Sequence, residues 1–440
     1  MSEIFKIYIR TNLLLRILIA LVLGLICGLI FPNQQGISMA LDIFSTLGDI
    51  FIRLLKMLVM PVVSCSLIVG MASILPSNIG KIGIKIIAFY TLTSICAIII
   101  GLGISALLAT GANVDLQIHE APSPNPQMPN LLSVLLSLIP TNPFNTIAHQ
   151  EVLPSVFFCA IFGIALAFCK NSKDASIKEA SGLVFKFFEG ISAVIFKIVG
   201  WVMQYAPIGV FSLIFVVFAK NGKEAFGTLA DMTMTVYAGF IAQIAIVYFG
   251  ICLFLKLNPI KFIKKVRLPM LTAFITRSSA TSIPISIQTA QERMGISRHL
   301  SSFTLPLGAT INMDGTTICL GVCVTFIANL AGIELNASAY ISIILTSLLA
   351  SIGTAGVPGA GAIMLIMVLE SIGLKVEANS TIAVAYGMIL GIDALLDMGR
   401  TSMNVTGDIM GTLAIAKSQN SIDMSKWSDE NERVLKQAQA

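Results

Sequence analysis

Residues 393–408 read DALLDMGRTSMNVTGD. Asp393, Asp397, Arg400, Asn404 and Asp408 are spaced 4, 3, 4 and 4 residues apart, so at 100° per residue they fall within about 80° of one helix face. The rest of that surface, with Ile392, Leu395, Leu396, Met403 and Ile409, is apolar, and the segment runs on through residues 411–416 with little polar interruption. The bland alternative is an interfacial helix with solvated charges, but its polar face would be rich in Lys and Arg. The spacing instead predicts a charged stripe on a helix inside an apolar environment.

The rest of the chain supplies that environment. Of 440 residues, 28 are Lys or Arg and 23 are Asp or Glu, giving 12% charged residues against 56% hydrophobic ones. About a quarter of a soluble globular chain is charged, and the mean hydropathy here is +0.88. A cytosolic enzyme, a disordered chain and a fibrous repeat are excluded. Residues 13–31, 57–75, 82–109, 152–168, 193–218 and 234–255 form apolar runs near the ~20 residues a membrane helix needs. Such lengths suit helices, which satisfy their own backbone, and not the short alternating strands of a barrel.

The net charge of +5 follows topology and forms no nucleic-acid patch. Basic residues cluster at Lys6, Arg10 and Arg16, at Lys81 and Lys85, at Lys170, Lys173 and Lys178, and most densely at Lys261, Lys264, Lys265 and Arg267. Taking those loops as cytoplasmic places the amino terminus inside, on a retained first helix. Arg53 and Lys56, at the start of the second span, are expected to snorkel or to sit in an interface. Eight cysteines form no CxxC and read as small core residues; only Cys319 and Cys323 share a helix face. His119, His149 and His299 are scattered, which supports no zinc centre.

Beyond Pro259 the apolar segments are interrupted. Residues 276–284 (TRSSATSIP) and 351–361 (SIGTAGVPGAG) each read as the tip of a helical hairpin entering and leaving on one side, tolerated only where it is buried or lines a cavity. After each comes a span with a polar break, at residues 312–316 (NMDGT) and 404–408 (NVTGD). Paired interrupted segments in two halves point to a transporter's midplane site. With Arg277 and Asp314, six charges then lie at membrane depth, at roughly 2.5 to 3.5 kcal/mol each. That sum exceeds the whole stability of a typical fold, about 5 to 15 kcal/mol, so the charges must be paired with each other, with ions or with substrate.

Residues 308–316 (GATINMDGT), 351–361 and 397–408 (DMGRTSMNVTGD) closely resemble motifs of the dicarboxylate/amino acid:cation symporter family, which includes the glutamate and aspartate transporters. The resemblance runs from the first span to the last. It implies an all-α polytopic membrane protein with eight transmembrane helices and two re-entrant hairpins in inverted repeats. The implied assembly is a homotrimer in lipid, in the bacterial inner membrane, with both termini cytoplasmic. Residues 1–75 and 111–222 correspond to a scaffold, 76–110 and 223–418 to an elevator-type transport domain, and 419–440 to a polar cytoplasmic tail without chemistry. The implied activity is symport, not catalysis, with no organic cofactor and no nucleic acid.

Residue by residue, the resemblance assigns Arg400 to a substrate side-chain carboxylate and Asp397 to the α-amino group. It assigns Asn404 and Thr401 to the main-chain carboxylate and Thr316 to a side-chain contact. The tips around Arg277, Ser278 and Ser279 and around Val357 and Gly361 would close on substrate. Sodium ligands map to Gly308, Asn312, Asn404 and Asp408, to Thr310, Ser351, Ile352 and Thr354, and to Tyr90, Thr93, Ser94, Asn312 and Asp314. Met313 and Asp393 stand beside these groups.

Chemistry agrees with those roles. A guanidinium fork reads a carboxylate, an ammonium needs a buried anion, and a hard alkali cation wants the oxygens that broken helices expose. Having both Arg400 and Asp397 points to L-aspartate or L-glutamate, with a C4-dicarboxylate symporter, a neutral amino acid symporter and an anion-conducting channel as the alternatives. Four ionised aspartates and two arginines leave the site at −2; an acidic amino acid makes it −3, which three sodium ions neutralise. Relatives that exchange potassium and carry a proton have their arginine where Met398 stands here and a glutamate where Leu320 stands. Neither a potassium requirement nor a proton at that position is therefore expected. Ala280 breaks the usual serine run of the first tip.

Overall fold

The computed structural model describes residues 11, 13–31, 38–74, 81–112, 136, 139–149, 151–222, 224–351, 360–377 and 380–428. They are mostly helical, and the only β-pairing among them is an isolated bridge between Ile296 and Ile422. Among the described residues six helices are long and apolar enough to cross a membrane, and four shorter apolar helices accompany them.

The first six helices are α1 (Leu13–Ile30), α2 (Ser38–Ile74), α3 (Lys81–Leu107), α4 (Pro143–Ala148), α5 (Val152–Lys170) and α6 (Ala175–Asn221). At 47 residues, α6 is roughly 70 Å long, over twice the ~30 Å hydrocarbon thickness. Its first turns, with Lys178 and Glu179, are accordingly polar. Asp174 caps it by accepting from Ser176 N at 2.9 Å, and Gly222 ends it at φ 59°. On α1, Gly24 and Gly28 let the helix touch α6 directly. A Cβ at either would lie 2.7 Å from Phe211 O or Phe218 Cβ, the small-residue seam of membrane helix pairs. α2 packs along both α5 and α6. Arg53 is exposed, and Lys56 donates its ammonium to Val376 O across to a distant segment, so Lys56 lies in an interface.

α7 (Glu224–Ala242) continues through a π-helical turn, Gln243–Tyr248, into α8 (Phe249–Phe254). α9 (Pro259–Thr276) starts with a proline at its first position and an Asn258 cap accepting from Ile260 N at 2.9 Å. It stops at Arg277, which takes the left-handed conformation (φ 54°, ψ 33°). Ser278 then caps α10 (Ser279–Gln288), so two residues join helices that pack on one another. A second π-helical turn, Thr289–Arg293, leads to α11 (Arg298–Ile311), a break at Asn312 and Met313, and α12 (Asp314–Leu330). α13 (Ala337–Ser351) and α14 (Ala360–Ser371) form another packed pair, followed by α15 (Thr381–Ser418) and α16 (Met424–Ser428). α12 is buried from Asp314 to Ala328, enclosed by α3, α7, α13, α14 and α15.

One expectation needs correcting. The polar break expected at residues 404–408 is absent, because α15 runs unbroken for 38 residues. Thr406 Oγ1 bonds back to its own helix at Ser402 O at 2.7 Å, as Thr412 Oγ1 does to Asp408 O at 2.8 Å, without displacing the ladder, while Asn404 and Asp408 turn to neighbouring helices. The tail packs on the body of the protein as far as Ser428. Asp423 N donates to Gly295 O at 2.8 Å, Lys265 Nζ donates to Lys426 O at 3.1 Å, and Trp427 is buried under Lys265. A sequence as polar as this stretch reads as solvated; its single tryptophan supplies the apolar anchor.

Candidate functional site

The charged stripe of α15 faces inward as its spacing predicts. Arg277, Asp314, Asp393, Asp397, Arg400 and Asp408 are all buried, none more than 9% exposed, and they fall into two groups.

The first group surrounds Asp397. Its Oδ1 accepts from Arg400 Nη2 at 2.7 Å and Nε at 3.3 Å, and from Thr401 Oγ1 at 3.4 Å. Its Oδ2 accepts from Arg277 Nε at 2.8 Å. Arg400 Nη2 also reaches Asp393 Oδ1 at 3.5 Å. Two guanidiniums and two carboxylates therefore cancel within one cluster. Arg277 enters it because the left-handed turn after α9 aims its side chain at α15. Gly361 at the start of α14 matters for the same reason: a Cβ there would collide with the Arg400 guanidinium. A narrow cavity lined by Ile17, Phe51, Leu55, Met203, Arg277 and Asp393 runs from this cluster toward α1, α2 and α6.

The second group lies at the break between α11 and α12. Asn312 Nδ2 donates to Asp408 Oδ1 and to Asn404 O, both at 3.1 Å, while its Oδ1 accepts from Thr93 Oγ1 at 3.4 Å. Asp314 accepts from Ser94 Oγ at 2.8 Å, Tyr248 OH at 2.8 Å and Gln243 Nε2 at 3.3 Å. Tyr90 OH donates to Asp408 O at 3.1 Å and Thr304 O at 3.2 Å. Gly308 faces this set so closely that a Cβ would stand 2.7 Å from both Asp408 Oδ1 and Tyr90 OH. No basic side chain pairs with Asp314 or Asp408 among the described residues. Gln243 Oε1 is a buried acceptor without a partner among them. Carboxylate, amide and hydroxyl oxygens with spare acceptor capacity are what a hard cation takes.

Asn404 joins the groups. Its Oδ1 caps α12 by accepting from Gly315 N at 2.8 Å and Thr316 N at 3.3 Å, and its Nδ2 donates to Thr316 Oγ1 and Met313 Sδ, both at 3.1 Å. Ser279 is buried at the start of α10, whereas the Ser278 hydroxyl is occupied as that helix's cap. The remaining cation set is not assembled by any described contact. Thr310 Oγ1 bonds its own helix at Pro306 O and Ser351 Oγ bonds Leu348 O, while Ile352, Thr354 and Val357 lie outside the described residues.

Gln243, Tyr248, Thr304 and Thr412 were missed by sequence reasoning. At 100° per residue Gln243 and Tyr248 stand about 140° apart; the wider π-helical turn brings both onto Asp314. Thr304 Oγ1 and Thr412 Oγ1 pair at 2.8 Å and tie α11 to α15. Their signal was weak, being single hydroxyls in apolar helices.

Buried paired charges beside oxygens without a basic partner, in a polytopic helical membrane protein, are the features of a carrier that handles a small solute together with cations. The comparisons agree: the model of the sodium:dicarboxylate symporter family matches residues 13–418, and the chain belongs to that family. It is a transporter and not an enzyme. It is 34% identical over 432 residues to the proton/glutamate-aspartate symporter of Escherichia coli, covering 95% of each chain. Against the proton/sodium-glutamate symport protein of Bacillus caldotenax the identity is 33% over 426 residues, covering 95% of this chain and 97% of the relative. The neutral amino acid transporter B(0) of Bos taurus is 30% identical over 447 residues, covering 92% of this chain and 79% of the relative.

Proposed function

We propose that the protein couples sodium entry to the uptake of an acidic amino acid, L-aspartate or L-glutamate. The observation that carries this is the pairing of Arg400 with Asp397 at 2.7 Å inside a site two of whose other carboxylates, Asp314 and Asp408, have only neutral partners. Sodium ions enter the oxygen sets around Asp408 with Asn312 and around Asp314 with Tyr90, Thr93 and Ser94. Arg400 then exchanges Asp397 for the substrate's side-chain carboxylate, and the freed Asp397 oxygen takes its ammonium. One internal ion pair becomes two pairs to substrate, while Arg277 stays on Asp397 Oδ2. Asn404 Nδ2, releasing the weak acceptor Met313 Sδ, reaches the main-chain carboxylate beside Thr401 and Thr316. Thr310, Ser351, Ile352 and Thr354 form a further sodium site when the second tip, with Val357, closes. The charge count gives three sodium ions per substrate.

The packing of α1, α2, α5 and α6 on one another supports a scaffold of residues 1–75 and 111–222. Residues 76–110 and 223–418 then move as an elevator, with α9–α10 and α13–α14 as re-entrant hairpins. The assembly is a homotrimer in the bacterial inner membrane with both termini cytoplasmic. Arg400 argues against a neutral amino acid substrate, and Asp397 against a plain dicarboxylate. The test is radiolabelled uptake into proteoliposomes under a sodium or a proton gradient, with L-aspartate, L-glutamate, succinate and L-serine competing. Best competition by succinate, or uptake on a proton gradient alone, overturns the assignment; a reversal potential giving one or two sodium ions per substrate overturns the count. Saturable accumulation against a gradient separates a carrier from a channel.

A further inference from the structure

Cys319 and Cys323 lie one and two turns below Thr316 on the same face of α12. Their sulphurs are 3.8 Å apart, and the residues are 3% and 2% exposed. Gly315, one turn before Cys319 on that face, lies so close to α15 that a Cβ there would collide with Arg400 O. Nothing in the proposed transport cycle uses either thiol.

The spacing is that of a bridge. A disulfide needs sulphurs about 2.05 Å apart, little more than half the observed separation. A tetrahedral centre bonded to both at about 2.3 Å holds them about 3.8 Å apart, and a pyramidal centre needs them only slightly closer. The choice of centre follows from the surroundings. Zinc wants four ligands, and the nearby carboxylates Asp393 and Asp397 are engaged by arginine. A dication would also meet the positive Arg400. A trivalent organoarsenical avoids both problems, because it arrives neutral and is complete with one carbon and two sulphurs.

We propose that Cys319 and Cys323 form a bidentate site for a trivalent organoarsenical, and that its occupation stops transport by confining Arg400. Two arsenic–sulphur bonds form, both S–H bonds break, and the two protons leave with the arsenical oxygen as water; arsenic stays trivalent. α12 meets α15 at Arg400 through Gly315; a group added on that helix face crowds the exchange of Arg400 from Asp397 to substrate. That inhibitory half rests on the role given to Arg400 above; the binding half does not.

The experiment uses the full chain in proteoliposomes treated with phenylarsine oxide. Intact-mass spectrometry should show a single phenylarsenic adduct per chain, and uptake should fall by about 100-fold, the loss typical of a misplaced binding group. A dithiol should restore uptake and a monothiol should not, and saturating L-aspartate should slow the reaction. Cys319→Ser and Cys323→Ser, or the alanine variants if serine impairs folding, should each lose both adduct and inhibition. Cys159→Ser is the control, because Cys159 neighbours Cys65 between α5 and α2. An adduct that persists in the Cys319 variants, or vanishes in Cys159→Ser, overturns the site. An adduct on the unmodified protein with full uptake overturns the inhibition through Arg400. If the protein fails to take up acidic amino acids at all, the mass measurement still decides the site.

Discussion

Around Asp314 and Asp408 every side-chain partner is neutral, whereas Asp397 is gripped by two guanidiniums. The first region's carboxylates meet no basic side chain among the described residues, and Ser94, Tyr248, Gln243 and Asn312 hold their oxygens in place. The second has cancelled its charge internally and must be opened before it can hold anything else. The contrast suggests an order. In the proposed cycle cations enter the preformed cage first, and their charge makes it less costly to release Arg400 from Asp397 for an anionic substrate.

The comparison breaks most sharply if the cage carboxylates are neutralised. Asp408→Asn and Asp314→Asn should each reduce sodium-dependent uptake by on the order of 100-fold, the roughly 3 kcal/mol expected when one partner of a buried charge pair is lost. A sodium titration that moves by less than about threefold in either variant would show that the cage does not hold the cation. Next comes Arg400→Cys, which leaves Asp397 to Arg277. Acidic substrate affinity should fall by about 100-fold while the sodium dependence of L-serine transport emerges, measured by competition against labelled L-aspartate. Unchanged aspartate affinity would remove Arg400 from the substrate's path.

Smaller effects sharpen the picture. Tyr248→Phe deletes one donor to Asp314 and should weaken apparent sodium affinity by about 5- to 10-fold, near 1 kcal/mol, with substrate selectivity intact. A change in selectivity instead would tie Tyr248 to the arginine region. The mildest is Thr412→Val, which cuts the hydroxyl pair between α11 and α15. Sodium affinity should drop by no more than about threefold; a larger loss would make that pair part of the cage.

The stripe from Asp393 to Asp408 was legible because helix geometry fixes a period, and burial forces charges of that period to face one another. The break at Asn312 was legible for a related reason, since Asn and Gly beside an aspartate rarely sit mid-span without purpose. The same rule failed at Asn404 and Gly407, where a similar composition stays helical because α12 needs an amide cap there and Asn312 needs room. Gln243 and Tyr248 were invisible, as a π-helical turn changes the period locally and leaves no compositional trace. The left-handed Arg277 was equally hidden: its role as a charge was readable, but its backbone conformation, which steers that charge to Asp397, was not.

The tail's anchor also makes the molecule its own reporter. The chain contains two tryptophans; Trp201 is exposed on α6, and Trp427 is buried at the foot of α9 beneath Lys265. A Trp201→Phe protein would emit from Trp427 alone, at the point where the end of α15 is fastened to the helix leading to Arg277. Its emission wavelength, followed during sodium and substrate addition, would register whether that fastening holds through turnover, without an attached label.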